Sequence, residues 1–402
     1  MKKCIVISPQ VIIPPTDGGK NSMYNHLISL AKISNISLVM GNNDDNNVNK
    51  YLNDYLNNIK KIFVFERVNK KIKKINYLKK CLEIIKWFFS FKPRQAQTIE
   101  SKKNKNIVTK YIIENNIDHI ILETPFAFEY LDYNILINKD IEIILIQHNV
   151  EYLFRKDCLD KYGIFSWWEV YLTKQYEKNV LKKSNRVVTI SPKDKEILKN
   201  VFSINNIEYL PTPFKENKNK WIGNDSNYIL FSGSLEFYPN YHGIKWFIKE
   251  IFYEFIKEYP NIKLKITGKV NKKIKKELST YNNIEFTGFV SDKDLEELLL
   301  NCNYMVIPII KGSGIKIKLL EALSMGIPTI VTEHCYEGMP FDKLKYDDPY
   351  LVAKNEKDFI SKMRLIINNN DEKLKISNNA KLFFEDIYGK NNNWANKLLG
   401  EC

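Results

Sequence analysis

Short apolar runs alternate along this chain with stretches in which apolar residues recur every three or four positions. The runs have the length of buried strands, and the stretches between them have the period of an α-helix. This alternation is typical of a parallel sheet that helices cover on both faces. The first half of the chain contains six such runs, at residues 4–8, 38–41, 62–66, 120–123, 141–147 and 187–190. The pattern therefore predicts an α/β domain in the first half.

A polar stretch at residues 215–227 separates this half from a second series of strand-like runs. The second series comprises residues 228–232, 264–268, 284–288, 304–307 and 329–331, with helical patterns in between. A chain of 402 residues is long enough for two domains. We therefore predict two Rossmann-like α/β domains, residues 1–215 and 216–387.

The strongest chemical signal lies at residues 311–326, where a strand-like run and a proline precede Gly312-Ser313-Gly314 and then a helical pattern. Backbone N–H groups of such a loop lie at the positive end of the helix and can hold a diphosphate. Lys316 and Lys318 fall in the first helical turn, where cations are disfavoured unless an anion binds. Glu321, on the same face as Lys318, could accept hydrogen bonds from ribose hydroxyls. The alternative is an ordinary strand-to-helix turn with solvated lysines.

Residues 312–332, Gly-Ser-Gly-Ile-Lys-Ile-Lys-Leu-Leu-Glu-Ala-Leu-Ser-Met-Gly-Ile-Pro-Thr-Ile-Val-Thr, resemble the nucleotide-binding segment of the retaining glycosyltransferases of family 4. The resemblance implies the GT-B fold, in which two Rossmann-like domains face a central cleft and the C-terminal helix crosses back to the first domain. Residues 388–402 are accordingly expected to pack on residues 1–215.

Three positions depart from the usual pattern of that family. Most members have a Glu eight residues before the second Glu, and an Arg and a Lys after the first glycine turn of the second domain. Ser313, Ser234 and Pro239 stand at those positions here. The remaining pattern, Gly-x-Gly-x-x-x-Lys-x-x-Glu, resembles a subgroup of bacterial sugar transferases in which the Lys before the Glu is prominent.

The resemblance also implies roles for individual residues. His148, which follows the apolar run 141–146, resembles the active-site His that touches the transferred sugar in that family; taken alone, it is as well explained as a structural residue. The implied catalytic residues are His148, Lys316, Lys318 and Glu321. The implied donor-binding residues are Gly18, Gly19, Gly233, Ser234, Gly268, Phe289, Val290, Gly312, Ser313, Gly314, Ile315 and Glu321. The implied acceptor-side residues are Lys20, Asn21, Asn149 and Glu151.

Composition narrows the possible partners and cofactors. The net charge of +14 favours anionic partners, but Lys, Asn and Ile are enriched together as in an AT-rich genome, so nucleic acid is not expected. The five histidines are dispersed along the sequence, and Ser291 with Asp294 indicates a helix cap rather than a metal-binding Asp-x-Asp. We therefore predict no metal and no cofactor, since a nucleotide-sugar would be a substrate.

Cysteine usage and hydropathy bear on location. The six cysteines form no C-x-x-C pair, which favours reduced thiols in the cytoplasm. No apolar run approaches 18 residues, and prolines interrupt the N-terminal run, so neither export nor a membrane span is expected. Residues 70–91, however, have the pattern of a basic amphipathic helix. This helix is equally consistent with a solvated domain helix and with a helix lying on anionic lipid of the inner membrane.

These observations predict a retaining, metal-independent glycosyltransferase that uses a nucleotide-diphosphate sugar. In the front-face mechanism discussed for the family, a phosphate oxygen takes the acceptor's proton, so no carboxylate pair is needed. The resemblance favours a glycan or lipid-linked acceptor in bacterial surface polysaccharide, lipopolysaccharide or glycolipid assembly. Two alternatives are a protein that binds nucleotide-sugar without turnover and a GT-B sugar-nucleotide epimerase, which would need His and carboxylate groups together.

Overall fold

The computed structural model describes residues 1–15, 17–42, 59–66, 84–157, 166–214, 217–223, 226–312, 314–336, 338–340, 347–389 and 393–401. The chain divides into two compact units. The first unit is Met1–Pro213 with Asn393–Cys402, and the second is Phe214–Asn392. The boundaries predicted from the sequence are residues 215 and 387.

The first unit is built on a sheet of seven parallel strands in the order β3-β2-β1-β4-β5-β6-β7. The strands are β1 (Lys3–Ser8), β2 (Asn35–Asn42), β3 (Ile59–Glu66), β4 (His119–Leu122), β5 (Glu142–Gln147), β6 (Arg186–Thr189) and β7 (Ile207–Tyr209). The helices are α1 (Gly18–Ala31), α2 (Arg94–Ile99), α3 (Lys102–Glu114), α4 (Tyr133–Leu136), α5 (Glu151–Asp157), α6 (Ser166–Lys183) and α7 (Pro192–Phe202), with a 3₁₀ turn at Pro125–Tyr130. β1, β4 and β5 are almost completely buried, as expected for central strands that helices cover on both faces.

The second unit contains a six-stranded sheet in the order β10-β9-β8-β11-β12-β13, and its strand pairs are also parallel. The strands are β8 (Tyr228–Ser232), β9 (Lys263–Thr267), β10 (Ile284–Gly288), β11 (Met305–Ile307), β12 (Thr329–Thr332) and β13 (Leu351–Ala353). The helices are α8 (Tyr238–Phe247), α9 (Tyr253–Glu258), α10 (Lys272–Leu278), α11 (Asp292–Leu300), α12 (Ile317–Met325), α13 (Glu333–Tyr336), α14 (Glu356–Asn368) and α15 (Asn370–Tyr388), with a π-helical turn at Ile248–Phe252. Two parallel sheets covered by helices confirm the predicted α/β fold class.

The last helix, α16 (Trp394–Leu399), belongs to the first unit, although the second unit precedes it in the chain. Trp394 and Leu398 are buried, and Arg186 Nη1 at the start of β6 donates a hydrogen bond of 2.7 Å to the Leu398 carbonyl. The C-terminal helix therefore crosses back to the first domain, as predicted.

The predicted basic helix at residues 70–91 falls largely outside the described residues, because the structure describes it only from residue 84 onward. Residues 84–89 are helical, with Trp87 buried and Phe89 exposed. Among the described residues, no helix combines the length and the apolar character that a membrane span requires.

Candidate active site

Strand order places a set of polar residues at one edge of the first sheet. The order of the strands reverses between β1 and β4, and ligands of open α/β sheets bind beyond the carboxyl ends of the strands at such a switch point. Glu123 directly follows β4, and His148 directly follows β5, which pairs with β4. Helix α1, which follows β1 in the chain, carries His26. The topology therefore brings three sequence-distant residues to the carboxyl edge.

These side chains form one buried hydrogen-bonded network. His148 Nε2 lies 2.8 Å from Glu123 Oε2, and His26 Nδ1 lies 3.2 and 3.1 Å from the two Glu123 oxygens. On the far side of its ring, His26 Nε2 lies 2.9 Å from the Thr212 hydroxyl, which in turn lies 2.9 Å from the Ser22 hydroxyl. Of the five residues, His148, the residue predicted to touch the sugar, is the most exposed, at 7%.

The central carboxylate fixes the protonation pattern of both imidazoles. Burial opposes ionisation of Glu123, but His26 and the hydrogen bonds from His148 and His26 outweigh it and lower its pKa to about 2. An ionised Glu123 can only accept hydrogen bonds, so it assigns N–H to His26 Nδ1 and to His148 Nε2. Burial also lowers the pKa of His26, which favours its neutral form. Glu123 therefore orients His148 and selects its tautomer.

The same three residues correct the expectation that the histidines are too dispersed to form a site. One ligand atom from each of His26, Glu123 and His148 lies within 4.8 Å of the others, and two His with one Glu is a ligand set used by zinc enzymes. In the structure, however, direct hydrogen bonds of 2.8 to 3.2 Å join the three groups. The geometry thus fits a hydrogen-bonded network that positions His148.

The C-terminal helix supports this network from one side. Trp394 stacks on the His26 ring, with 4.5 Å between ring centroids and 5° between ring planes. Trp394 is buried, so the stack holds the imidazole flat while Glu123 and Thr212 hold its two nitrogens. The last helix thereby contributes to the site as well as to the fold.

Gly18 and Gly19, predicted to bind the donor, form the exposed first turn of α1. Asp17 is the N-cap: its carboxylate accepts a hydrogen bond of 3.0 Å from the Lys20 N–H and lies 3.7 Å from Lys20 Nζ. Asn21, half-buried on the next position, accepts a hydrogen bond from Asn25. These residues and His26 thus share one helix.

The other predicted acceptor-side residues follow His148. Asn149 is half-buried, whereas Glu151 is 7% exposed and its backbone N–H donates to Glu177 Oε1 at 2.9 Å. Burial raises the pKa of Glu151, and burial together with the nearby Glu151 raises the pKa of Glu177 to about 8. Glu151 is therefore placed against another buried carboxyl group, beneath the surface of the first unit.

The second unit has its own switch point, between β8 and β11. Gly233 follows β8 and Gly268 follows β9, both with positive φ angles, +144° and +119°. A Cβ atom on Gly268 would lie 2.6 Å from the Gly233 carbonyl carbon. The two predicted donor-binding glycines are therefore in direct backbone contact at the carboxyl edge of the sheet, where only glycine fits.

Lys318, on the first turn of α12, is directed at this same point. Its ammonium donates a hydrogen bond of 2.9 Å to Asn240 Oδ1 and lies 4.1 Å from the centre of the Phe231 ring. A Cβ atom on Gly233 would lie 2.6 Å from Lys318 Nζ. Asn240, in α8, also donates a hydrogen bond of 2.8 Å to the Ser234 carbonyl. Gly233 thus leaves the space that the lysine occupies, and Asn240 fixes the ammonium beside the β8 turn.

Lys316 lies only two residues before Lys318 but makes different contacts. It is the N-cap of α12, and its ammonium donates hydrogen bonds to the carbonyls of Gly314 and Gly312, at 2.9 and 3.4 Å. His334 also contacts the Gly312 carbonyl. Lys316 and His334 therefore hold the glycine loop in place, next to Ile315, which is buried. Ser313 lies outside the described residues.

Lys318 and Glu321 are half-buried charged groups on one face of α12. Burial lowers the pKa of Lys318 to about 7, an effect to which Lys316 adds. Burial raises the pKa of Glu321 to about 7, and Lys318 opposes this rise. An anionic ligand beside Lys318 would favour its charged form and so raise its pKa. Lys318 is thus poised to become charged when an anion binds.

The remaining predicted donor-binding residues lie on neighbouring loops. Ser234 donates from its hydroxyl to the Lys269 carbonyl at 3.3 Å. Phe289, directly after β10, is 67% exposed, and Lys269 Nζ lies 5.8 Å from the centre of its ring. Val290 is half-buried. An exposed aromatic face at the carboxyl edge is a suitable surface for stacking a base.

Comparison with known proteins shows that most of the second unit is similar to a known protein family. Residues 226–369 match the family model described as glycosyl transferases group 1. An uncharacterized 44.6 kDa protein in the cps region of Klebsiella pneumoniae is 24% identical over 403 residues, which cover 96% of this chain and 97% of that protein. The protein is a glycosyltransferase. The matched residues include Gly233, Gly268 and Lys318.

Solved structures resemble the glycosyltransferase over its whole length. A variant of S. aureus TarM, solved with Fondaparinux, alpha-GlcNAc-glycerol and UDP, has a TM-score of 0.67 at 12% identity and covers 100% of this chain and 99% of its own. WaaG, a glycosyltransferase involved in lipopolysaccharide biosynthesis, has a TM-score of 0.63 at 13% identity and covers 99% of both chains. These similarities confirm the predicted GT-B fold.

Several site residues of the glycosyltransferase were not predicted from its sequence. They are His26, Glu123, Thr212, Asn240 and His334. Glu123 had a detectable signal, since it is a carboxylate at the end of an apolar run that pairs with the run before His148. Asn240 had no detectable sequence signal, because only its contact with Lys318 shows that its amide belongs to the site.

Proposed function

We propose that the protein is a retaining, metal-independent glycosyltransferase of family 4 that acts on the cytoplasmic face of the inner membrane. Residues 216–387 bind a nucleotide-diphosphate sugar, and residues 1–215 bind a glycan or a lipid-linked acceptor. The product belongs to bacterial surface polysaccharide, lipopolysaccharide or glycolipid assembly. No nucleic acid partner, metal or cofactor is part of the proposal.

The observation that carries this proposal is the position of Lys318. Cleavage of the bond between sugar and phosphate builds negative charge on the departing diphosphate, and preorganised donors stabilise that charge in the transition state. Ser234 and Pro239 stand where the family has an Arg and a Lys for this purpose. Lys318 instead brings an ammonium to the β8 turn, fixed by Asn240 at 2.9 Å. The lysine supplies the countercharge from a different helix.

The known structures support a nucleotide-sugar donor and a glycan product. TarM was solved with UDP and with two sugar compounds, and WaaG takes part in lipopolysaccharide biosynthesis. The Klebsiella relative is encoded in the cps region. These properties belong to those proteins, and they make a uridine nucleotide the first donor to test.

His148 completes the proposal on the acceptor side. Its Nε2–H is donated to Glu123, which holds the imidazole ring in one orientation. In a front-face mechanism the departing phosphate oxygen takes the acceptor's proton. His148 therefore contributes by contact with the sugar, and a general base is not required.

The test is to compare turnover of wild type with Lys318→Ala and Gly233→Ala, using a panel of nucleotide-sugars. Losing one such charge-stabilising donor slows chemistry by about 100- to 1,000-fold. Gly233→Ala should slow turnover to a similar extent. Its Cβ atom would lie 2.6 Å from the Lys318 ammonium and would displace it. Lys357→Ala, an exposed lysine of α14, is the matched control and should leave kcat unchanged. Addition of EDTA should also leave turnover unchanged.

The product analysis separates the alternatives. Release of nucleoside diphosphate with transfer of sugar, and retention of the anomeric configuration by NMR, would support the proposal. Epimerised nucleotide-sugar would instead point to proton movement by the His26, Glu123 and His148 network. Binding of nucleotide-sugar with no product would contradict the transferase proposal, and normal turnover in Lys318→Ala would contradict the role assigned to Lys318.

A further inference from the structure

Helix α5 begins at a residue whose side chain cannot cap it. The first N–H groups of a helix have no partner inside the helix, and the side chain of the residue before them normally supplies one. Val150 stands at this position, and its carbonyl accepts a hydrogen bond of 3.0 Å from the Phe154 N–H. Val150 is buried, and its side chain has no acceptor atom. The N–H groups of Glu151 and Tyr152 therefore need an acceptor from another part of the chain.

Glu177, on helix α6, supplies that acceptor. Its Oε1 atom accepts a hydrogen bond of 2.9 Å from the Glu151 N–H, and its Oε2 atom accepts one of 3.3 Å from the Tyr152 N–H. Glu177 is completely buried, and a buried ionisable group is costly unless it is hydrogen-bonded. The carboxyl group of α6 thus caps α5.

The same carboxyl group also binds the end of β5. Gln147, the last residue of β5, donates a hydrogen bond of 3.0 Å from Nε2 to Glu177 Oε1. Gln147 is completely buried as well. Only residues 148–150 lie between β5 and α5, so Glu177 Oε1 binds both the residue before this loop and the residue after it. His148 is the first residue of the loop.

Two glutamates therefore determine where His148 lies. Glu123 binds the ring through Nε2 at 2.8 Å, which fixes how the ring is turned. The position of the ring also depends on where the loop places the His148 Cα atom, and Glu177 holds both ends of that loop. A side chain is held precisely only when the groups that support it are themselves fixed by packing and hydrogen bonds.

Helix α6 contains a second buried glutamate that serves as a comparison. Glu169 is 2% exposed, and its two carboxylate oxygens accept hydrogen bonds of 3.1 and 3.2 Å from the Arg94 N–H at the start of α2. Glu169 and Glu177 thus have the same chemical role, since each caps a neighbouring helix. They differ in location, because α2 carries none of the residues of the His148 network.

We infer that Glu177 is a positioning residue for the transfer reaction. By binding Gln147 and Glu151, it holds the 148–150 loop in the conformation that places His148 beside Glu123. The inference rests on the proposed function, because that function assigns the reaction to which His148 contributes. It adds a completely buried residue, which acts through His148 and does not itself contact the sugar.

The test compares turnover of Glu177→Met with that of Glu169→Met. Each substitution replaces a buried carboxyl group that accepts backbone hydrogen bonds by an unbranched apolar side chain, so both should lower the melting temperature. Only Glu177→Met should lower kcat, by about tenfold or more, because a small displacement of a positioned group strongly slows the chemical step. Its dissociation constant for UDP should equal that of wild type, since the proposed nucleotide-binding residues are unchanged. A wild-type kcat in Glu177→Met, or an equal loss of kcat in Glu169→Met, would overturn the inference.

Glu177→Gln separates loss of the hydrogen bonds from loss of the carboxyl group itself. The amide oxygen of Gln can still accept from the Glu151 N–H and from Gln147. Burial and the nearby Glu151 raise the pKa of Glu177 to about 8, so an uncharged side chain is a close substitute at pH 7. This variant should therefore keep most of the wild-type kcat. Turnover as low as that of Glu177→Met would overturn the inference, because the retained hydrogen bonds would then not hold the loop.

An NMR measurement tests the position of His148 without any transfer reaction. In protein with isotope-labelled histidine, the His148 Nε2–H signal depends on its hydrogen bond to Glu123. The signal should be lost in Glu177→Met through faster exchange with water and should persist in Glu169→Met. If wild type transfers no sugar but the signals behave in this way, the proposed function is wrong and the positioning of His148 by Glu177 stands. An unchanged signal in Glu177→Met would overturn the inference.

Discussion

At the scale of single residues, Glu123 makes the stability of the first unit depend on pH. Its pKa is lowered in the folded protein, so it stabilises the fold above its unfolded pKa and loses that contribution as pH falls toward about 2. We expect Glu123→Gln to lower the free energy of unfolding at pH 7 by roughly 2–3 kcal/mol and to flatten its decline between pH 5 and pH 2. Urea unfolding across this pH range measures both quantities.

Glu142→Gln provides the matched control for that prediction. Glu142 also pairs with a histidine, His119, at 3.0 Å, but it is partly exposed at the opposite end of the same sheet. Its replacement should change stability by less than about 1 kcal/mol. In Glu123→Gln, turnover should also fall by roughly 100-fold, because His148 loses the partner that orients it. Equal acid profiles for wild type and Glu123→Gln would show that this carboxylate is not held ionised.

The hydrogen-bonded network around Glu123 could not be predicted from the sequence. His26 and Glu123 are separated by 97 positions, and His26 and Thr212 by 186. No local pattern links such residues, because their contact depends on the strand order around the switch point. Lys318, by contrast, could be predicted, since it lies in a compact motif whose loop, helix and charge are all local.

At the scale of elements, the central strands could be predicted because they are continuous apolar runs buried on both faces. β7 (Ile207–Tyr209) and β13 (Leu351–Ala353) were missed. Each has three residues and lies at the edge of its sheet, so neither length nor a continuous apolar run distinguishes it from a loop.

Helix α16 makes an element-level prediction. Trp394 is 1% exposed and supports the His26 ring, so Trp394→Ala removes a large buried side chain and leaves a cavity. We expect the free energy of unfolding to fall by about 3–5 kcal/mol, measured by thermal or urea unfolding. Lys397→Ala, at an exposed position of the same short helix, should leave stability unchanged. A comparable loss in both variants would mean that the helix contributes by something other than the indole.

At the scale of the whole molecule, the two units differ in how the chain builds them. The second unit is one continuous segment, Phe214–Asn392, with its own six-stranded sheet and core. The first unit is discontinuous, because it needs Asn393–Cys402 to supply Trp394 to the His26 network. Truncation after residue 392 should therefore damage the first unit and spare the second.

This asymmetry can be tested with the fragment 214–392. Because Gly233, Gly268 and Lys318 lie within it, the isolated fragment should fold cooperatively and bind the nucleotide without catalysing transfer. UDP at 100 times its dissociation constant should stabilise the fragment by about 2.7 kcal/mol, seen as a rise in melting temperature. The same fragment with Lys318→Ala should show a much smaller rise, whereas Lys357→Ala should respond fully. If the folded fragment does not bind UDP while the full chain does, the first unit contributes essential donor contacts.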